Sequence, residues 1–168
     1  FRSLAISIVV GYGVILVVPD FNVTFLLFTF LDSPVFIDGT WALIFTLLCI
    51  VGLQNAINMA DGQNGLVMGM TLIWVVMLSA YAPAHLLPLL IVFAIGLGIA
   101  LLFNLNGKLF LGDSGSYAIS ISMGLLAIYI YQVGFDRLPA DIVALWFLVP
   151  VIDCLRLMVM RMIRGRSP

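Results

Sequence analysis

The sequence predicts an all-α integral membrane protein, a polytopic bundle of about six transmembrane helices with a short β-hairpin or loop at its outer face. Three observations lead there. Of 168 residues, 64% are hydrophobic and 9% are charged, and the mean hydropathy is +1.24, far outside the range of a soluble domain. Glutamate is absent, and the few aspartates and basic residues fall almost entirely in short breaks between apolar runs. The runs themselves approach the roughly 20 residues needed to cross a hydrocarbon core.

Taken in order, the first span runs from near Ser3 to Val18 and stops at Pro19-Asp20. Between Phe21 and Asp38 the pattern changes to Val, Thr and Phe mixed with Asp32, Ser33, Pro34 and the turn pair Asp38-Gly39. That mixture suits a hairpin or interfacial loop better than a span. Further spans follow from Thr40 to about Asn58, Leu66 to Ala82, Leu86 to Asn104, Ser114 to Val133 and about Asp141 to Met160, with Pro83 and Pro88 bracketing a tight turn. The chain opens inside a span with no recognisable signal peptide, and it ends as abruptly, so it is expected to be one membrane domain, residues 1–168, from a longer protein. Cys49 and Cys154 both lie in apolar runs and read as small buried hydrophobes, with no disulfide framework.

Basic residues set the orientation, because short cytoplasmic loops are enriched in Lys and Arg. With an even number of spans both ends share a side. Arg2, Lys108, Arg156, Arg161, Arg164 and Arg166 lie on that side, and Arg137 lies on the other. The termini, the Met59–Gly65 loop and the Gly107–Asp113 loop are therefore expected to be cytoplasmic, with Asp20, Asp32, Asp38, Asp136 and Asp141 facing outward. Asp61, Asp113 and Asp153 remain on or near the inner face. No nucleic-acid partner is expected.

Two inner-face stretches stand out. In Asn104–Tyr117, NLNGKLFLGDSGSY, Asp113 sits among Gly112, Ser114, Gly115 and Ser116. A carboxylate beside a lipid-facing span is tolerated only at an interface, in a protein-lined cavity or on a cation. Either a helix N-cap or a metal or phosphate site accounts for it. In Gln54–Leu66, QNAINMADGQNGL, the spacing of Asn55 and Asn58 puts both amides on one helical face, followed at once by Asp61-Gly62 and Asn64-Gly65. Interhelical hydrogen bonding is the structural alternative. Gly65 and Gly69 form a GxxxG, read as close helix packing. Lys108 serves as a phosphate counter-ion or a positive-inside anchor, and His85 in an outer turn reads as solvated. Asp153 lies three residues before Arg156, the spacing of an ion pair, and the arginines that end the last span form a basic face suited to a lipid phosphate.

Together these motifs carry a resemblance. NAINMADGQNGL, then FNLNGKLFLGDSGSY, then PVIDCLRLMVMRMIRGRSP resemble the bacterial polyprenyl-phosphate N-acetylhexosamine-1-phosphate transferases of glycosyltransferase family 4. These include the undecaprenyl-phosphate GlcNAc-1-phosphate transferases and the related phospho-MurNAc-pentapeptide translocase. The resemblance implies a larger multi-helix enzyme of the bacterial inner (plasma) membrane with a cytoplasmic cleft, of which this chain is the central part. It also implies transfer of N-acetylhexosamine-1-phosphate from a UDP-N-acetylhexosamine to undecaprenyl phosphate, releasing UMP, with Mg²⁺ as cofactor and Mn²⁺ as its alternative. A homodimer is an open alternative.

Residue by residue, Asp113 of LGDSGS is similar to the family's Mg²⁺-ligating aspartate, and Asp113 and Asp61 take the catalytic positions. Asn55, Asn58, Asn64, Asn104, Lys108 and Arg164 are the expected substrate-binding residues. Where relatives often read DGxDG, Asn64 replaces the second carboxylate. An aspartate-rich motif is expected upstream of Phe1 and a histidine-rich one downstream of Pro168. A transporter or channel with a polar inner vestibule is the rival from another class, but such proteins concentrate polar residues near the midplane, and here they gather at one surface. A non-catalytic scaffold leaves both inner motifs unexplained.

Overall fold

The computed structural model describes residues 2–135 and 137–165, with side chains from residue 8 onward. Helix α1 spans Arg2–Val17, and a 3₁₀ turn follows at Pro19–Phe21. Strands β1 (Phe25–Leu26) and β2 (Val35–Phe36) precede α2 (Gly39–Ala60) and α3 (Leu66–Ser79). After a second 3₁₀ turn at Ala84–Leu86 come α4 (Leu87–Leu105), α5 (Gly112–Val133) and α6 (Ala140–Ile163). The Arg2 side chain, Asp136 and Arg166, which the sequence assigns to one surface or the other, lie outside the described residues.

Prolines set several of these boundaries. Val18 is held extended, at φ −130° and ψ 94°, by the Pro19 that follows it, and α1 cannot continue. Pro88 falls in the first turn of α4, where its missing N–H would have had no helical partner. The protein is an all-α polytopic membrane protein. Helices α2, α5 and α6, and α4 together with its preceding turn, are long and apolar enough to span a bilayer. The third expected span is shorter than anticipated: α3 stops at Ser79, ahead of the Tyr81–Pro83 turn. Its 14 residues rise only about 21 Å, less than the ~30 Å hydrocarbon core.

Helix α2 is the hub. It packs on α5, α6 and α1, while α3 packs on α4 and α5. Ile57, Leu78, Met123 and Ile130 form the fully buried centre of this contact. Helix α4 buries only Leu90, Leu97 and Asn104, and α6 only Pro150 and Cys154. In a soluble protein the apolar faces left over would be untenable; in lipid they are the solvent-exposed surface. Buried Thr46 and Thr71 return their hydroxyls to the carbonyls one turn back, Ala42 and Val67, which removes the cost of placing them there.

At the outer end the expected hairpin is present, with Phe25 opposite Phe36 and Leu26 opposite Val35 in an antiparallel pair. The Gly65/Gly69 reading needs correction. A Cβ at Gly69 would meet nothing within 4 Å, so that glycine mediates no close helix contact. Gly65 matters for another reason: its φ is +83°, and a Cβ there would come within 2.5 Å of Leu105 Cδ2. The turn between α2 and α3 therefore depends on glycine's access to left-handed backbone and on the approach of α4. Asp153 and Arg156 do pair, at 2.7 Å, on a well-exposed stretch of α6.

Candidate active site

Two loops that are distant in sequence meet at one end of the bundle. The first, residues 61–65, leaves the C-terminus of α2; the second, residues 106–111, leads into the N-terminus of α5. Between them lies a cavity of about 300 Å³ whose walls include Asn58, Asp61, Asn64, Asn104, Phe110 and Asp113. Gly62, Gln63, Leu111 and Gly112 complete the lining.

Asp113 is not a helix cap. It sits inside the first turn of α5, whose N-cap position is Leu111, and no side chain caps that helix. Its Oδ1 accepts a hydrogen bond from Asn58 Nδ2 at 3.2 Å, and the same amide donates to Ser116 Oγ at 3.0 Å. Ser116, fully buried, donates in turn to the Asp113 carbonyl at 3.0 Å. Asn58 therefore uses its amide nitrogen to hold a carboxylate on a neighbouring helix, and its Oδ1 stays free. Sequence reasoning missed Ser116 in this role, although the spacing of three from Asp113 places both on one turn of a helix.

Asp61 closes α2 at the C-cap position. Its pKa is pushed above the ordinary value, first by partial burial and then by the negative charge of Asp113, while the Gly112 backbone N–H works in the opposite direction. Both carboxylates line the same cavity, and like charges that close disfavour ionisation. Among the described residues the one ion pair is Asp153–Arg156, so neither cavity carboxylate is neutralised by a protein cation.

Asn104, 6% exposed, lies at the back of the cavity. Its Oδ1 accepts from the Gly65 N–H at 2.5 Å, and its Nδ2 donates to the Leu109 carbonyl at 2.7 Å. Lys108 is exposed in the second loop and does not line the cavity. Arg164, at the C-cap of α6, is exposed and away from it.

The expectation that Asn55 and Asn58 share one face of α2 is corrected. Three residues on, a helix has turned to about 60° short of a full circle, and in this packing that angle separates two neighbours. Asn58 faces α5, whereas Asn55 donates back to the Val51 carbonyl at 2.9 Å and borders a different cavity. That second cavity is an apolar cleft of about 570 Å³ between α2, α5 and α6. It extends from Val23 and Leu26 at the outer end to Cys154 and Met158 toward the inner end.

No group of three or more His, Cys, Asp or Glu side chains able to enclose a metal ion occurs among the described residues. Two carboxylates with amide and backbone oxygens do occur, a donor set of the kind that suits a hard divalent cation. Mg²⁺ takes hard oxygen ligands, binds through one or two carboxylates and fills its remaining positions with water and phosphate oxygens.

The chain matches curated proteins over parts of their length. It is 36% identical over 99 residues to the phospho-N-acetylmuramoyl-pentapeptide-transferase of Listeria monocytogenes, a match covering 56% of this chain and 31% of that protein. The enzyme of the same name from Thermotoga maritima is 29% identical over 147 residues, covering 84% of this chain and 43% of that one. A probable undecaprenyl-phosphate N-acetylglucosaminyl 1-phosphate transferase of Bacillus subtilis is 38% identical over 96 residues, covering 54% and 26% respectively. The chain thus spans less than half the length of these relatives. No solved structure matches it. The model for "Glycosyl transferase family 4" matches residues 2–131, from α1 through both cavity loops and nearly all of α5, and on that match the chain belongs to glycosyl transferase family 4.

Proposed function

We propose that this chain is the central part of an enzyme that transfers N-acetylhexosamine-1-phosphate from a UDP-sugar to undecaprenyl phosphate, releasing UMP, at the cytoplasmic face of a bacterial inner membrane. The reaction would begin a cell-envelope polysaccharide. The observation that carries this reading is the placement of two cavities on either side of α2. The polar one holds Asp61 and Asp113 at the membrane surface, and the apolar one runs down the bundle between α2, α5 and α6. A water-soluble nucleotide sugar and a polyprenyl chain need those two environments side by side. The name of the Bacillus relative gives undecaprenyl phosphate and an N-acetylglucosaminyl 1-phosphate group, and that of the Listeria relative a phospho-N-acetylmuramoyl-pentapeptide, which supports a phosphosugar transfer here.

The net reaction joins an oxygen of the lipid phosphate to the sugar-bearing phosphorus and breaks the bond from that phosphorus to the UMP oxygen. Both reactants are anions, so their approach must be offset by positive charge. The cavity offers no Lys or Arg for that purpose. Asp113 and Asp61 are the residues that would hold Mg²⁺, which when bound neutralises phosphate charge and aligns phosphate oxygens. Asn58 keeps Asp113 turned into the cavity. Asn64, a neutral amide on its wall, is suited to hydrogen-bond the nucleotide sugar without adding to the negative charge. Lys108 and Arg164, both outside the cavity, are suited to attract anionic substrate or headgroups to this face.

Orientation follows from the same end of the molecule. The start of α6 is tied to the hairpin by the Ala140 N–H bond to Leu27 O, so Arg156, Arg161 and Arg164 lie toward the end that holds the cavity loops and Lys108. That excess of basic residues supports a cytoplasmic position for the cavity.

The test uses the complete enzyme in detergent or vesicles with UDP-N-acetylhexosamine and undecaprenyl phosphate, with UMP release as the readout. Asp113→Asn should abolish transfer while leaving the melting profile intact. Turnover at the wild-type rate in that variant would sink the assignment.

A further inference from the structure

We infer that Asn104 is a positioning residue which fixes the separation of Asp61 and Asp113 by fastening the two cavity loops to each other. The inference rests on the cation-binding reading above and assigns Asn104 a part in it different from substrate contact.

Asn104 lies in the last turn of α4, and it is a buried polar residue. Its carboxamide is used from both ends. The oxygen takes the Gly65 N–H, in the loop that begins at Asp61; one N–H goes to the Leu109 carbonyl, in the loop that leads into the first turn of α5, where Asp113 lies. Neither loop has regular structure of its own, and both bonds are made to backbone, so they constrain the path of the chain whatever the side chains do. Local backbone bonds reinforce the second loop: Gly107 N–H reaches the Asn104 carbonyl at 2.9 Å, and Lys108 N–H reaches the Phe103 carbonyl at 2.9 Å. The first loop is pressed from the other side, where Leu105 lies against Gly65.

The chemistry of the cavity makes such a clamp necessary. Two carboxylates on one cavity wall separate if the segments that carry them, the loop that starts at Asp61 and the start of α5 at Asp113, are free to move, and a cation needs both within one coordination sphere. An amide is the side chain that can donate to one loop and accept from the other while adding no third negative charge. A carboxylate at 104 would retain the Gly65 bond but set its second oxygen against the Leu109 carbonyl. A hydrocarbon of the same size would lose both bonds and leave the Gly65 N–H and the Leu109 carbonyl without these partners.

The experiment compares wild type with Asn104→Leu, Asn104→Asp and the control Asn106→Ala, which loses only a bond to Leu102 O in its own helix. Three readouts are taken: Mn²⁺ binding by loss of the free-ion spin-resonance signal, KM for the UDP-sugar at saturating cation, and backbone hydrogen exchange. Asn104→Leu should weaken Mn²⁺ binding on the order of 10- to 100-fold, as loss of outer-shell support does elsewhere. It should speed exchange in both loops, 61–65 and 106–111, and leave the KM at saturating cation within about threefold. Asn104→Asp should fall between, and Asn106→Ala should match wild type; if Asn104→Leu does not fold, Asn104→Asp carries the same comparison. A raised KM with unchanged Mn²⁺ affinity would make Asn104 a substrate contact and overturn the inference, as would unchanged exchange in either loop. If wild type itself binds no Mn²⁺, the cation reading fails separately, and the exchange comparison alone decides whether Asn104 holds the loops.

Discussion

The two ends of the bundle are both rich in polar groups, yet they use them in opposite ways. At the outer end several of them are spent on joining the hairpin to the helices, although Gln132 Oε1 is buried without a partner. Thr46 Oγ1 shares its one proton between the Ala42 carbonyl and Asn22 Oδ1 and receives the Val23 N–H, Tyr131 Oη takes the Leu27 N–H, and Asp141 Oδ1 takes the Thr29 N–H. Gln132 donates to the Asn22 carbonyl and to Thr24 Oγ1. The Thr46 contacts join the segment after α1 to α2, and the others join residues a hundred or so positions apart and tie the hairpin region to α5 and α6. At the inner end, Asn58 and Asn104 are likewise engaged, but what they hold is left open: Asp61, Asn64 and Asp113 line a cavity, with two negative charges uncompensated. A polar group spent on the fold lowers its energy, whereas a polar group held unpaired raises it and is kept for a ligand. The contrast assigns stability to one end and chemistry to the other.

The sharpest way to break that contrast is to remove one carboxylate from each end. Asp113→Asn should cut turnover by at least about 10³-fold, since charge stabilisation of several kcal/mol is lost, with little change in melting temperature. Asp141→Asn should do the reverse, leaving kcat and KM at wild-type values while lowering the melting temperature. Equal losses of turnover from both would erase the distinction.

Next in size is Asn58→Leu. It removes the bond that orients Asp113 and the bond to Ser116, so kcat should fall on the order of 10- to 100-fold. Raising the cation concentration should restore part of that loss, and no recovery at high Mg²⁺ would argue that Asn58 touches substrate instead. At the other end, Tyr131→Phe leaves the Leu27 N–H without its partner, at a cost of about 1–3 kcal/mol. Melting should fall by several degrees with turnover per folded molecule unchanged.

The sequence made the division into spans legible because apolar runs and prolines act locally: Pro19, Pro83, Pro88 and Pro139 each mark an element boundary that composition alone can place. The segment of the hairpin was readable as a hairpin or loop: Asp32-Ser33-Pro34 lie in the connection between the strands, whereas the turn pair Asp38-Gly39 falls at the start of α2. The inner site was legible in its chemistry and only partly in its geometry. Asp61, Asp113, Asn58, Asn64 and Asn104 gather around one cavity as their motifs suggest, but Asn55 does not, because the side of α2 it occupies is decided by how α5 and α6 pack on that helix. Lys108 and Arg164 were singled out by charge, and charge does not say which loop turns toward a cavity. The double use of Asn104 had no sequence signal at all: a bond from residue 104 to residue 65 exists only after α3 and α4 have folded back on each other. The shortness of α3 was hidden by Tyr81 and Ala82, apolar residues that extend the run without extending the helix.

The smallest expected effect bears on whether the inner end is strained as the contrast requires. Asp61 has its pKa raised in the folded protein by partial burial and by Asp113, so the folded state binds a proton at Asp61 more tightly than the unfolded state does. For a carboxylate shifted upward, stability falls as pH rises from the ordinary carboxylate value through the raised one, and the cost persists at neutral pH. Asp61→Asn removes both the desolvated charge and its repulsion of Asp113. The variant should therefore melt slightly higher than wild type at neutral pH, by less than about 1 kcal/mol for a pair this accessible to solvent, and the advantage should vanish below the ordinary carboxylate range. Mg²⁺ should reverse the order, stabilising wild type more than the variant, because a cation that binds only the folded form adds its binding energy to stability. The variant should also be inactive at every pH. Thermal melts of the two proteins across pH, with and without Mg²⁺, measure all of this. A variant that melts lower than wild type at neutral pH without cation would show that Asp61 supports the fold, and the inner end would then resemble the outer one.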